Sequence, residues 1–586
     1  MIRKHASSKP RAFYGIDLGT THTVVVRATQ NMEGQFDYAI IKIDNEPLDE
    51  FDDTFAEDLL PSVVYYPPTR PDRPVIGYYA IDAYRFDPDN VYFNEKMNLG
   101  KQMILSEIHK HTPQEVTQAI LKKCIAAIYK DSSTGYKPAI RVSVPAAFSQ
   151  DKRDDTMQAA RNVFNELGIP TPAGRNPVLL YDEPQAAFAN FIKNEPEAIK
   201  HLHGQDTVLL CDIGGGTCDI QICDITYDPK KSKELYIDPF KYKAPIKDEF
   251  AGANFDVALM KTFMKQFWNY YNIPLQNARH FSQLKQLEKI LLMNAKDVKE
   301  NLCDKDDPEA SYEQTLVLDT VMVEQLKKLL KGYDTKDPFV LRMTKKEMDT
   351  VFYPLLYIDE ESDQLCIQSI INSYLRDNYV GYDDISCVYL TGGMALYDGI
   401  AQAIRDLLKK PVVIARKPLF CTAMGIIVSS VLAYGDYAQK RQVYEKEKKE
   451  LGLDATHVSL VDHTALEDRK VVGAQSNKLG TSFFLDVEND FPTRIISDED
   501  VYPCDYRQTD VDLKTTSPTH LSLVLFEGRS NIDPGLRILR KKSVEFEQII
   551  PIGSPITIAY SISEDKIITI YATVEDHTYT LKSVED

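Results

Sequence analysis

The chain has 586 residues, 43% hydrophobic and 26% charged, with a formal net charge of −19 from 68 basic and 87 acidic side chains. That length accommodates several domains, and that apolar content builds ordinary globular cores. The negative balance argues against nucleic acid or an anionic membrane as a bulk partner, yet a small anion needs only a local positive site.

The first informative segment is Tyr14-Gly15-Ile16-Asp17-Leu18-Gly19-Thr20-Thr21-His22-Thr23. It reads as an apolar strand ending in an aspartate, a glycine turn, threonine hydroxyls and a second strand through Val24-Val25-Val26. Glycine lets backbone N–H groups approach phosphate oxygens, and threonine adds donors. The acidic stretch Asp44–Asp58 reads as a solvated loop. Next come a strand at Arg141–Val144, a helix over Asp151–Leu167, a strand at Val178–Leu180 and a helix over Glu183–Lys193.

Leu209–Ile220 then repeats the opening design, with Asp212 at the strand end and Gly214, Gly215, Gly216 and Thr217 in the turn. One such hairpin says little. Two, about a domain apart, imply a nucleotide clamped between duplicated halves, with an aspartate on each side to hold the waters of a Mg²⁺ ion. Cys218, beside the turn, reads as a small buried strand residue. Lys285–Leu302 has helical spacing, Glu313–Asp319 looks like a strand and Thr344–Tyr357 like a helix. Val388–Leu390 is a strand running into Gly392-Gly393. This alternation predicts α/β layers with a mixed sheet.

After Gly435 the composition changes. Asp436–Glu450 is almost wholly polar and charged, an exposed helix or linker. From about Leu479 the pattern is β: Leu521–Phe526 is strand-like, and Ile556–Ile562 and Ile568–Val574 alternate across a short polar turn, which predicts a hairpin. The expected division is residues 1–435, 436–478 and 479–586.

Nine cysteines run from Cys124 to Cys504 without a C-x-x-C pair, against zinc or a disulfide scaffold and in keeping with a reducing compartment. No apolar signal core follows the basic start, and Gly425–Gly435 is too short to span a bilayer. A cytoplasmic location is expected.

Val388-Tyr389-Leu390-Thr391-Gly392-Gly393-Met394-Ala395 resembles the adenosine loop of the actin-like ATPases, and the loop order matches that superfamily. Within it, the chain is most similar to the seventy-kilodalton heat-shock chaperones. Tyr181-Asp182-Glu183-Pro184-Gln185-Ala186-Ala187 resembles the start of that family's connecting helix. Val142–Phe148 with Arg153 resembles its Val-Pro-Ala strand and following arginine, and Phe93–Lys96 with Leu99-Gly100-Lys101 the segment of its catalytic lysine. Leu523–Ser530 and Tyr560–Asp576 resemble strands of its substrate-binding β-sandwich.

The resemblance implies an actin-like ATPase domain of two duplicated lobes followed by an all-β, sandwich-like domain. It implies hydrolysis of ATP to ADP with Mg²⁺. Asp17 and Asp212 would orient the waters of the metal. Gly19, Thr20, Thr21, His22 and the run Gly214, Gly215, Gly216, Thr217 would hold phosphates. Lys96, Glu183, Asp212, Thr217 and Asp219 would form the catalytic set around the attacking water. Lys299, Gly392, Gly393 and Met394 would contact the nucleoside, and Pro145 and Arg153 would sense the γ-phosphate through Glu183 and relay it to the β domain.

Three departures stand out. Cations expected around the base are missing: Glu300, Leu396 and Leu419 stand at positions where family members carry polar or basic side chains, which implies weaker or differently selective nucleoside binding. The apolar interdomain linker is poorly matched, its best candidate being Val458–Asp462. Only about ten residues follow Asp576, too few for the family's helical lid. The implied partners are unfolded or extended polypeptide, a J-domain co-chaperone and a nucleotide exchange factor, with neither nucleic acid nor membrane. The alternatives are an actin-like filament or scaffold ATPase, a small-molecule kinase of the same superfamily, and a regulatory chaperone relative that hydrolyses ATP weakly.

Overall fold

A computed structural model describes residues 12–430 and 479–584, apart from shorter stretches within them such as 46–54, 195–204, 239–249 and 272–284. The charged stretch Asp436–Glu450 and the linker candidate Val458–Asp462 lie outside the described residues.

The strand Ala12–Leu18 is largely apolar and buried at every position but Phe13 and Asp17, as suits a central strand. It pairs antiparallel with His22–Gln30 and parallel with Ala139–Val144. The path of the first sheet runs Leu179–Asp182, Ala139–Val144, Ala12–Leu18, His22–Gln30, Phe36–Ile40. The second runs Val412–Ile414, Ile385–Thr391, Gln205–Ile213, Cys218–Tyr227, Leu235–Asp238. Strand order and sense are the same in both: each central hairpin has two parallel strands on one side and an antiparallel strand on the other.

Helices cover these sheets. Pro113–Asp131 and Gln150–Glu166 pack Ile120, Ile125, Met157 and Val163 against Ile16 and Val142. Gly252–Tyr270 and Lys285–Leu302 pack Phe255, Phe263, Leu291 and Val298 against Leu209 and Ile213. The helix expected at Thr344–Tyr357 spans Lys345–Leu356. Thr344 caps it: Glu347 N–H donates to Thr344 Oγ1 at 3.2 Å and Thr344 N–H to Glu347 Oε2 at 2.8 Å, a capping box.

Residues 479–584 contain strands and turns but no helix among the described residues. Three small sheets enclose one core that includes Phe483, Leu485, Ile496, Leu525, Ile558, Tyr560 and Ile570. The expected hairpin is present as Pro555–Ile562 and Ile568–Val574, the second strand alternating buried and half-buried. Its tip reaches the first sheet, where Ile567 packs against that sheet's core.

Three expectations change. The ends of the Asp44–Asp58 segment are not a solvated loop: Ile43–Asn45 pairs with Phe55–Glu57. Asn45 is fully buried and its Oδ1 accepts Tyr78 N–H at 3.1 Å. The strand expected at Glu313–Asp319 is Ser311–Thr315, set by its pairing with Val340–Thr344. Leu521–Phe526 breaks at Val524, so that His520–Leu523 joins Lys542–Glu545 while Leu525–Gly528 joins Ser482–Leu485. No helix among the described residues is long and apolar enough to cross a membrane.

Candidate functional site

The two glycine-threonine turns, distant in sequence, meet. A Cβ placed on Gly215 would collide with the Thr21 side chain, and one on Gly216 with that of Thr20. The first turn is braced by Ser62, whose Oγ donates to Gly19 O at 2.7 Å and whose N–H donates to Thr21 O at 2.8 Å. The second is closed by Gly214 N–H donating to Thr217 O at 2.9 Å. Behind it the helix Gly252–Tyr270 begins, with Gly252 N–H donating to Gly214 O at 3.0 Å. The third loop follows Ile385–Thr391. Gly392 has φ +85°, and a Cβ there would also strike Ile213 O, so this turn requires glycine.

Between the three loops lies a cavity of about 370 Å³, a volume suited to a small organic ligand. Its floor holds Asp17, Lys96, Glu183 and Asp212; its walls include Gly19, Thr20, Thr21, His22, Gly214, Gly215 and Thr217. Lys299, Gly392, Gly393 and Met394 line the far end with Tyr78, Glu300, Cys303, Leu396 and Leu419.

Lys96 Nζ donates to Glu183 Oε1 at 2.6 Å, and both side chains are buried. Asp17 Oδ1 accepts from Ser143 Oγ at 2.7 Å, and Ser143 Oγ also accepts Leu18 N–H at 3.2 Å. Thr422 Oγ1 donates to Asp212 Oδ2 at 3.3 Å. Burial and then Glu183 push the Asp17 carboxyl up to about 6, against Lys96 and Ser143. Burial, Glu183 and Asp17 push Asp212 up to about 8, against the Thr422 hydroxyl and Lys96. Burial, with Lys296 and Lys299 nearby, lowers His22 to about 3 and keeps its ring neutral.

Three carboxyl groups, Glu183 buried and Asp17 and Asp212 half-buried, stand against one ammonium and leave the floor short of positive charge. Among the described residues no group of three His, Cys, Asp or Glu side chains is placed to chelate a metal directly. This donor set fits a hydrated divalent cation held through its waters, the habit of Mg²⁺.

Not every expected residue lies on the cavity. Gly216 packs against Thr20, outside the lining. Asp219 is buried opposite Asp212 in the hairpin register and also lies outside it. Lys299 is engaged by Asp256 Oδ1 at 2.7 Å and Gly252 O at 3.2 Å. Cys218 is a buried strand residue, as its small size implied. Pro145 is buried at the end of its strand. Arg153 reaches Asp182 rather than Glu183: Nη2 donates to Asp182 Oδ1 at 2.7 Å. Lys566, on the tip of the C-terminal hairpin, donates to Asp182 Oδ2 at 2.7 Å.

Sequence reasoning passed over Ser143, Thr422, Tyr78 and Asp256. Ser143 alone carried a signal, as a hydroxyl between two valines at a strand end. The docked face of the β region was also missed. There Arg540 makes a two-pronged pair with Asp155 at 2.5 and 2.8 Å, and Asp565 Oδ1 accepts Leu180 N–H at 2.6 Å.

Comparison with known proteins agrees with this architecture. Residues 95–445, well over half of the chain, match the family model described as "Hsp70 protein". The chain is similar to the mitochondrial heat shock protein SSC3 of Saccharomyces cerevisiae, 22% identical over 465 residues (74% of this chain, 60% of that protein). It is similar to a chaperone protein HscA homolog of Cupriavidus pinatubonensis, 24% identical over 454 residues (74% and 60%). It is also similar to the chaperone protein DnaK of Thermus thermophilus, 22% identical over 446 residues (72% and 61%). The chain thus spans about 60% of the length of these relatives. On the family match and the shared loop order, this chain belongs to the Hsp70 protein family.

Proposed function

We propose that the protein is an ATP-dependent chaperone of the Hsp70 type. In this reading residues 1–435 form an actin-like ATPase domain of two duplicated lobes, 436–478 a charged connection, and 479–586 a domain that binds extended polypeptide. The observation that carries it is the meeting of two topologically equivalent glycine-threonine turns over a buried Lys96–Glu183 pair. The identical strand order of the two sheets supports the duplication.

Phosphoryl transfer asks for charge neutralisation and an aligned water more than for covalent chemistry. The backbone of Gly19, Gly214, Gly215 and Thr217, with the Thr20 and Thr21 hydroxyls, grips the β- and γ-phosphates. A magnesium ion held through waters by Asp17 and Asp212 would supply neutralisation of phosphate charge. Lys96 sets a positive charge beside the attacked phosphorus. Glu183 and Thr217 align the water, and Asp219 lies opposite Asp212 in the hairpin register. Gly392, Gly393 and Met394 pass under the nucleoside, and Lys299, fixed by Asp256, borders it.

Occupancy of the cleft reaches the β domain through adjacent residues. Glu183 lines the cavity, Asp182 precedes it, and Asp182 holds both Arg153 and Lys566. Pro145 fixes the neighbouring strand end. ATP favours the docked β domain and fast peptide exchange; hydrolysis releases the domain and tightens its hold. A J-domain co-chaperone and an exchange factor are the expected partners. The nine free cysteines support a reducing compartment such as the cytoplasm.

The test is steady-state ATP hydrolysis with and without an unfolded apolar peptide. Stimulation by peptide is expected. Turnover that peptide leaves unchanged contradicts the chaperone reading; negligible turnover with intact binding points to a weakly hydrolysing regulatory relative.

A further inference from the structure

The helix Gln150–Glu166 starts without help from its own cap: Ser149 makes no side-chain hydrogen bond there. Its first amide is satisfied from the other end of the chain. Gln150 N–H donates to Glu527 Oε2 at 3.2 Å, and Gln150 Oε1 accepts Ile568 N–H at 3.2 Å. Beside them Arg540 N–H donates to Asp151 Oδ2 at 2.9 Å. The N-terminus of one helix is thus clipped by three segments of the C-terminal β region.

A carboxylate suits a helix N-terminus, but Glu527 is 8% exposed. The charged groups facing it are Arg537 across its strand ladder, Arg153 on the helix, and Asp151, which repels it. Burial outweighs these and pushes its carboxyl up to about 7. Asp151 and Asp565 on the same interface are also raised by burial. Asp151 is opposed by Arg540 and Lys542, and Asp565 by Leu180 N–H and Asn176.

We propose that Glu527 is a proton-operated clasp: the β region docks on helix Gln150–Glu166 more tightly when this side chain is protonated, so docking loosens as pH rises through neutrality. The neutral acid still accepts Gln150 N–H through its carbonyl oxygen while burying no charge. Undocking uncovers the side chain and returns it to water as an ordinary carboxylate. The sign follows: the docked form binds the proton more tightly, so the contribution of Glu527 to docking is greatest below the ordinary glutamate range, weakens toward pH 7 and is flat above it. This inference is independent of what the cleft binds.

The test is hydrogen exchange on the full chain at pH 6 and pH 8, corrected for intrinsic rates and read at Gln150, Leu180 and Ile568. One linked proton gives protection about tenfold higher at pH 6 than at pH 8. Glu527→Gln keeps the acceptor but cannot titrate, so its protection should be high and nearly equal at both values. Asp151→Asn, which keeps Glu527, should retain the change. A pH effect undiminished in Glu527→Gln, or lost in Asp151→Asn, overturns the assignment. Should Glu527→Gln fail to fold, the wild type decides: equal protection at pH 6 and 8 refutes the clasp.

Discussion

Asp182 is the shared counter-ion of two cations, buried Arg153 and largely buried Lys566, one from each side of the docked interface. Arg153 Nη2 and Lys566 Nζ each lie 2.7 Å from one of its oxygens, and the three side chains are 5%, 13% and 6% exposed for Arg153, Lys566 and Asp182. Burial alone would raise the Asp182 carboxyl, but Arg153 and Lys566 together hold it below the ordinary aspartate value. Asp182→Ala would leave two like charges facing each other without water. Removing one partner of a buried pair costs about 3–5 kcal/mol. Lys566 can escape, because it sits on a hairpin tip that undocking returns to solvent, whereas Arg153 stays with its helix. The cost therefore falls on docking, about two to three and a half orders of magnitude in the docking equilibrium at 1.4 kcal/mol per tenfold. Small-angle scattering should show an expanded particle, and the amides of Leu180 and Ile568 should lose protection. Replacing all three charges by apolar residues (Asp182→Leu, Arg153→Met, Lys566→Met) should recover much of the docking, since well-packed apolar groups often match a buried ion cluster. Asp182→Ala with an unchanged scattering profile and unchanged protection would refute the reasoning.

Docking should also fail in acid: the lowered Asp182 carboxyl contributes above the ordinary aspartate range and loses its contribution as pH falls through its docked value. A scattering titration from pH 7 to pH 3 reads this, and Asp182→Asn should remove it. Lys96→Met should cut ATP turnover by about 100- to 1000-fold and, by stranding Glu183, destabilise the fold more than Lys96→Met with Glu183→Gln does; denaturant unfolding of both compares them. Gly392→Ala should cost several kcal/mol, about 1–2 for the left-handed backbone and more for the collision with Ile213 O, visible as a lower unfolding midpoint. Leu396→Arg should tighten adenine nucleotide binding by about fivefold, the worth of one cation over a base face, measured by calorimetry.

The two glycine-threonine turns of the site were legible in the residues because each is local. Asp17 with Gly19–Thr21, and Asp212 with Gly214–Thr217, each carry their chemistry within a few positions of one chain segment. The hairpin Pro555–Ile562/Ile568–Val574 was legible for the same reason, through its two-residue alternation. What escaped notice depends on distant segments meeting. Nothing near Asp256 announces that it will hold Lys299, and Thr422 reaches Asp212 across 210 positions. Arg153 was assigned to Glu183, but the strand end turns its neighbour Asp182 toward the helix. The Asp44–Asp58 segment misled because its charge outweighed the inward alternation of Ile43 and Asn45. The break at Val524 reflects a strand changing sheets, which a continuous apolar run conceals.

Calorimetric titration of the full chain with ATP, with and without Mg²⁺, bears most directly on the paired-turn cleft. Saturable one-site binding is expected, stronger with Mg²⁺ and weakened by Thr20→Val and by Gly215→Val, which crowds Thr21. No heat at millimolar nucleotide, or binding indifferent to both substitutions, would contradict the account.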